Sequence, residues 1–541
     1  MVRIMRALEK LLSQTKKKIT KSVVSSEAEE INPEKLSRCL SENLNALVKV
    51  FGDNCDFVSR EFNFGRDGQY KGAIMFFDGL TNLKIINDNV IKPLMYDSRF
   101  VRSDDTGALE SLEELRDKLV SVGDLKTVES ISGAIDACLS GNAVLLVDGF
   151  QKALDISAKG WDKRAISEPD TETVVRGPRE GFIENLRTNT ALVRRKLRSP
   201  QLKIRSIKIG DRTNTQVNII YIDGIVNPEL IAEIERRLKN IDTDAILSAG
   251  NIEQFIEDSP SSVFQTIRYS EKPDTIVGKM LEGRAAIIID GTPFVLSLPM
   301  LFVENFQSSE DYAVRTSYAT TMRILRFIAF FISLFGPALY VALATYHQEL
   351  IPTSLLITMA ASSESLPFPA ALETFLMMLS FEILKEAGVR MPRPIGQAIS
   401  IVGALVMGEA AVSAGLVGAP IVIVIAITAV ASFAIPFASD AVSLLKWVLL
   451  VLAATMGSFG ITLGALAIVI HLASLRSFGT EYLAPFAPFQ TSDLKDTLTR
   501  VPLWKMRTRP RALKPRDSKR QNFKIPYKPA EANDSGEEDR S

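Results

Sequence analysis

The sequence predicts a multi-domain protein: an N-terminal cytosolic α/β domain made of two similar subdomains, followed by an α-helical polytopic membrane domain. Three observations predict it. An apolar block from about Leu325 to Leu475 holds several runs long enough to cross a bilayer, since a spanning helix takes roughly 17–25 mostly apolar residues. The formal charge of zero, from 63 Lys+Arg and 63 Asp+Glu, is carried almost entirely outside that block. Upstream, the chain four times runs a β-rich apolar segment into Asp-Gly: AIMFFDG, AVLLVDG, NIIYIDG and AAIIIDG, ending at Gly79, Gly149, Gly224 and Gly291.

In chain order, residues 1–32 form a basic, partly disordered arm. Val2, Met5, Leu8 and Leu12 share a helical face with lysines elsewhere, a pattern able to lie on an anionic membrane but also that of a solvated arm. It lacks the continuous apolar core of a secretory signal. Residues 33–175 are the first subdomain and 201–315 the second. Asp78 to Asp148 is 70 residues and Asp223 to Asp290 is 67. The second strand of each pair is entered through the same Leu-x-Gly-x-Ala, from Leu139 and from Leu281. One building plan used twice explains both facts. The aspartates invite a catalytic or metal role, but Asp-Gly after a strand is first of all turn chemistry, with Gly taking positive φ.

Between the subdomains, residues 176–200 read as a connecting helix after the Gly177-Pro178 break. Phe182, Leu186, Val193 and Leu197 make its apolar stripe, while Arg187, Arg194 and Arg198 occupy another face, either solvated or able to hold an anion or an acidic partner. The aromatic interleaving that single-stranded nucleic acid requires is missing, so no nucleic-acid partner is expected.

The transmembrane helical domain is placed at 320–475. Spans are expected at Leu325–Tyr346, Ile395–Val417, Ile421–Ala438 and Leu444–Leu475. The segment 353–386, broken by Pro352, Pro367 and Pro369, is read as re-entrant or interfacial, because irregular backbone at membrane depth must be buried in protein or line a watery cavity. Its Glu373 and Glu382, nine residues apart, face opposite sides of one helix. Together with Gln397 they are the intramembrane polar candidates. Arg315, Arg323 and Arg326 before the first span, and the basic tail within 476–541, place both termini in the cytoplasm. That tail ends in an acidic disordered segment at Glu537-Glu538-Asp539. Even parity of crossings follows, although four crossings leave the basic stretch Leu384–Arg393 outside.

Cys39, Cys55 and Cys138 lack CxxC spacing and point to a reducing compartment. With only His347 and His471, no His/Cys metal cluster assembles. No cofactor is expected, and no nucleophile–base constellation suggests an enzyme.

Four long strings in order, GWDKRAISEPDTETVVRGPREGFIENLRTNTALVRRKLRSP (160–200), GRAAIIIDGTPFVLSLPMLFVENFQSSEDY (283–312), FEILKEAGVRMPRPIGQAISIVGALVMGEAAVSAGLV (381–417) and APFAPFQTSDLKDTLTRVPLWKM (484–506), make this sequence similar to the A subunit of the GerA family of spore germinant receptors. The resemblance runs from about residue 50 and leaves out the arm and the acidic tail. It implies the inner membrane of a bacterial spore, a permease-like B subunit that senses germinant, a lipoprotein C subunit, and an oligomeric ligand-gated cation channel.

The residues read on their own agree with a channel. On a 3.6-residue wheel Ile395, Ile399, Val402, Val406, Glu409 and Ser413 share one stripe. In a homo-oligomeric ring, Val402 and Val406 would form a dewetting constriction and Glu409 an acidic ring favouring cations. Alternatively the valines pack against a neighbouring helix and Glu409 sits at the interface or pairs with a basic group. Three other readings stay open: a solute carrier with a midplane site, a non-conducting signalling scaffold, and, within the resemblance, the family paralogue associated with the dipicolinate channel.

Overall fold

In the computed structural model, residues 35–65, 68–96, 112, 115, 124–160, 169, 172–364, 366–390 and 406–522 are described. The N-terminal arm, the acidic tail, and Ile395, Gln397, Ile399 and Val402 lie outside them. The chain divides into two compact units, residues 1–162 with 198–200, and 163–197 with 201–541.

The first unit is a sheet covered on both faces. Its elements are α1 (Leu40–Phe51), β1 (Phe57–Phe64), β2 (Tyr70–Phe77), a helix α2 (83–95), β3 (Leu125–Val128), α3 (Ile131–Leu139), β4 (Ala143–Val147) and β5 (Ala153–Ile156). Strand order is β1-β2-β4-β5-β3, antiparallel throughout. Because side chains alternate across a strand, Ile74, Phe76, Leu145 and Val147 meet Ile86, Val90 and Leu94 of α2. Ala73, Met75 and Phe77 point the other way and are equally buried. That is why the segments before Asp-Gly are continuously apolar.

The second unit begins with the same plan: α4 (Leu186–Lys196), β6 (Leu202–Ile209), β7 (Thr215–Ile222), α5 (Pro228–Lys239), α6 (Ala249–Ile256), β8 (Arg268–Ser270), α7 (Pro273–Met280), β9 (Ala285–Ile289) and β10 (Val295–Leu298). Its strand order, β6-β7-β9-β10-β8, repeats the first, again antiparallel. One face packs on α5 and α6 through Leu230, Ile234 and Ile252. The other packs on α4 and α7 through Leu192, Val193, Ile276 and Met280.

The Asp-Gly pairs do the turn work that the sequence suggests and more. Gly79, Gly149, Gly224 and Gly291 have φ of 87°, 89°, 80° and 86°. Asp148 and Asp290 then reach back to the first helix of their own subdomain, accepting from the backbone N–H of Leu40 (2.9 Å) and Leu186 (3.2 Å). Asn43 and Asn189 pair with the backbone of Ser37 and Ile183 in the same way in each copy. This equivalence corrects the placement of 176–200 as a connector. Helix α4 is the counterpart of α1, and Phe182, Leu186 and Val193 belong to the core beneath Ile220, Ile222 and Ile288.

Beyond β10 come the apolar helices α8 (Thr316–Thr345), α9 (Thr353–Ser363), α10 (Ala370–Arg390), α11 (406–413), α12 (Ala419–Phe433) and α13 (Ser439–Ser474). Among the described residues, two stretches, Thr316–Thr345 and Pro436–Ser474, are long and apolar enough to cross a membrane. At 15 residues, α12 is shorter than the span expected at Ile421–Ala438.

The expected single span Leu444–Leu475 is corrected too. Gly457, with φ 60° and ψ −139°, interrupts α13. A Cβ on Gly464 would lie 2.6 Å from Leu449, whereas fifteen residues of straight helix extend about 22 Å. The helix therefore folds back on itself. The turn just before α13 and the end of α13 both touch the second subdomain: the Arg268 guanidinium sits 3.1 Å over the Phe437 ring, and His471 Nε2 is 2.9 Å from Ser262 Oγ.

Candidate functional site

The second subdomain, the base of α8 and the C-terminal segment meet in a layer of buried charge. The link from β10 to α8 makes two short 3-10 turns, Phe302–Phe306 and Ser309–Tyr312. Phe306 stacks on Phe327 of α8 at 3.8 Å between centroids. One turn lower, Arg323 is fully buried and bonds Asp311 at 2.9 Å and Asp496 at 2.7 Å. Arg326 shares Asp311 at 2.9 Å, and the Tyr312 hydroxyl donates to Asp496 at 2.7 Å. Burial pushes the Asp496 carboxyl up, against the pull of Arg323.

A second cluster lies alongside. Glu304 is 1% exposed, pairs with Arg284 at 2.7 Å and Lys279 at 2.9 Å, and accepts from the Leu301 N–H. Burial alone would raise its carboxyl, but Arg284 and Lys279 outweigh it and hold Glu304 at about 2. Glu282 caps the cluster on Arg284.

The segment read from the sequence as a basic tail from residue 476 is, through residue 522, a folded strap. Tyr482 is fully buried, and its carbonyl accepts from Phe302 N–H at 2.8 Å. Ser477 Oγ accepts from Met300 N–H and donates to the Thr266 carbonyl. Arg500 donates to Thr316 Oγ1 at 3.0 Å, and Arg509 to the Leu281 carbonyl at 2.8 Å. The strap thus clamps the subdomain to the foot of α8. Sequence reasoning missed the cluster because Asp311, Arg323 and Asp496 lie up to 185 residues apart and each reads alone as a flanking charge.

Of the stripe candidates, Val406, Glu409 and Ser413 are described. All three are exposed on α11, Val406 by 57%, while Gly408 turns inward against Val422. No described Lys, Arg or His pairs with Glu409. Glu373 is 4% exposed and accepts from the Gly418 N–H that starts α12 (3.0 Å). Glu382 instead bonds Lys446 of α13 at 2.8 Å, so the two carboxylates serve different helices. On α4, Arg187 is exposed, Arg194 is only 2% exposed, and Arg198 lies past the helix end; the three do not form one accessible surface. Among the described residues, no group of three or more His, Cys, Asp or Glu is placed to hold a metal.

Residues 45–512 match the family model for the Bacillus/Clostridium GerA spore germination protein. The chain is 43% identical to spore germination protein KA of Bacillus subtilis (strain 168), over 91% of this chain and 90% of that one. It is equally 43% identical to the uncharacterized membrane protein YfkQ of the same organism, over 90% and 93%. With spore germination protein GerLA of Bacillus cereus it shares 40% identity over 82% and 90%. A crystal structure of the N-terminal domain of the A subunit of the Bacillus megaterium spore germinant receptor GerK3 is 35% identical, covering 50% of this chain and 98% of that one, at a TM-score of 0.40.

Proposed function

The chain belongs to the GerA family of spore germination proteins, and we infer that it is a germinant receptor A subunit whose copies together line a gated cation path across the spore's inner membrane. The observation that carries this is Glu409. Its carboxylate is exposed on the stripe with Val406 and Ser413, with no basic partner among the described residues. A charge turned toward lipid costs several kcal/mol, on the order of 2.5–3.5 even on the mildest scale. A ring of neighbouring copies around water removes that cost and makes the charge useful, because an acidic ring favours cations.

In this reading Val402 and Val406 form the dry constriction, and the strap and buried charge layer transmit movements of the subdomain to α8. The B and C subunits are the partners, germinant sensing rests with B, and no catalytic step is assigned. Both termini face the spore core. The direct test compares cation loss from spores carrying Val402→Ala, Val406→Ser or Glu409→Gln at matched protein level. Either valine change is expected to give leak or nutrient-independent germination, and Glu409→Gln a tight closed state. If all three changes leave cation retention and germination unaltered, the stripe is packing surface and the path lies elsewhere.

A further inference from the structure

We propose that the strap carries a docking surface for anionic phospholipid headgroups, formed by Arg511, Lys514 and Arg516 together with the exposed ring of Phe489. The inference rests on α8 crossing a bilayer and not on where the ion path runs.

Charge marks the surface. From Leu503 to Arg520 the sequence holds eight Lys or Arg and one acid, Asp517. That acid is taken by Arg509 at 2.8 Å. Arg511, Lys514 and Arg516 are exposed, and none of them makes an ion pair among the described residues. The neighbouring carboxylates do not balance them. Asp493 accepts from the backbone N–H groups of Arg511 and Ala512, and Asp496 holds Arg323. Glu481 lies half-buried across from Arg476 in a two-residue ladder.

Packing sets the depth of this surface. Arg511–Leu513 make a short 3-10 turn, and Ala512 packs with Leu301, Val303 and Ala484, with Phe486 against the same cluster. Phe486 in turn meets Phe327 of α8 edge-on, 6.5 Å between centroids. Phe327 lies in the apolar part of α8, which begins near Leu325. The turn is therefore held beside the point where α8 enters the hydrocarbon. Phe489, three residues beyond Phe486, is 69% exposed. An exposed aromatic ring beside unpaired cations at that level is the pattern of an interfacial anchor, and the depth favours lipid over an acidic protein. The guanidinium forks of Arg511 and Arg516 suit phosphate oxygens.

The backbone shows that turn formation does not select the lysine. Lys514 has φ 47° and ψ 50°, a left-handed conformation that glycine takes without penalty. A side chain retained there at a cost to the turn places a cation at its tip. The surface also bears on the charge layer, because the strap that presents it holds Arg323 through Asp496 at 2.7 Å. Headgroups bound on the turn thereby steady the seat of α8.

The test titrates the full-length chain in neutral detergent with short-chain phosphatidylglycerol, following the unfolding temperature, beside short-chain phosphatidylcholine, inorganic phosphate and polyglutamate. Saturable stabilisation by phosphatidylglycerol alone is expected, weakened by high salt. Lys514→Gly should weaken it about fivefold without lowering the unfolding temperature of the lipid-free protein, and joint replacement of Arg511, Lys514 and Arg516 by Gln about a hundredfold. Phe489→Ser should weaken it about tenfold. Equal stabilisation by phosphatidylcholine overturns the proposal, and equal stabilisation by phosphate or polyglutamate replaces lipid with a free anion or an acidic protein and overturns it too. So does a phosphatidylglycerol response that is absent from the wild type, or unchanged in the triple variant or in Phe489→Ser.

Discussion

Arg323 has no exposed surface and spends its guanidinium on Asp311 and Asp496. Deleting one partner of such a pair leaves a buried charge uncompensated, at a cost of roughly 3–5 kcal/mol. Asp311→Ala should therefore lower the unfolding temperature of the detergent-solubilised protein sharply, and more than Asp311→Asn, which keeps an acceptor oxygen. A variant as stable as the parent would show that the pair is dispensable. Glu304 gives the matching expectation for pH. Its carboxyl is depressed from 4.5 to about 2 by Arg284 and Lys279, so its stabilisation is present above pH 4.5 and is lost as pH falls toward 2. Thermal midpoints of the wild type should fall through that window, and Glu304→Gln should flatten the fall while lowering stability at neutral pH. A Glu304→Gln profile parallel to the wild type would assign the acid sensitivity to other groups. The Asp-Gly turns were legible at this scale because two residue types suffice to specify them. The Arg323 cluster was not, since its meaning depends on partners that only the fold brings together.

At the scale of elements, α13 is the clearest departure from the sequence reading. Its apolar run is long enough to pass as one tilted span, and Gly457 is one small residue among many there. Sharp reversal at that glycine brings Gly464 beside Leu449 and lets the Tyr346 hydroxyl donate to the Ala454 carbonyl freed by the break, at 2.8 Å. The halves, 439–456 and 458–474, each extend about 26 Å at 1.5 Å per residue, close to the hydrocarbon thickness. Leu449→Cys with Gly464→Cys should cross-link within one chain under mild oxidation. A continuous helix would keep them about 22 Å apart and give no such product. Helix α4 shows a different limit of sequence reading. Its apolar stripe is equally that of a connector and of a covering layer, and only the sheet beneath Leu186 and Val193 decides between them.

At the scale of the whole chain, the duplicated plan was visible in the 70- and 67-residue spacing, and the apolar block separated the helical region from it. The strap stayed hidden because a Lys/Arg-rich sequence looks solvated, although Arg500 and Arg509 are 5% and 7% exposed. The strap binds the second subdomain, and the hairpin of α13 returns to it through His471 and Ser262. What the molecule does with this frame turns on the stripe of α11. Its most direct measurement is single-channel recording of the purified full-length chain in a planar bilayer, wild type beside Glu409→Gln. Discrete cation-selective steps are expected, persisting in Glu409→Gln with reduced preference for cations over anions, because the charge is removed and the constriction is not. Saturable flux without steps, or steps whose selectivity ignores Glu409, would contradict a cation path lined by this helix.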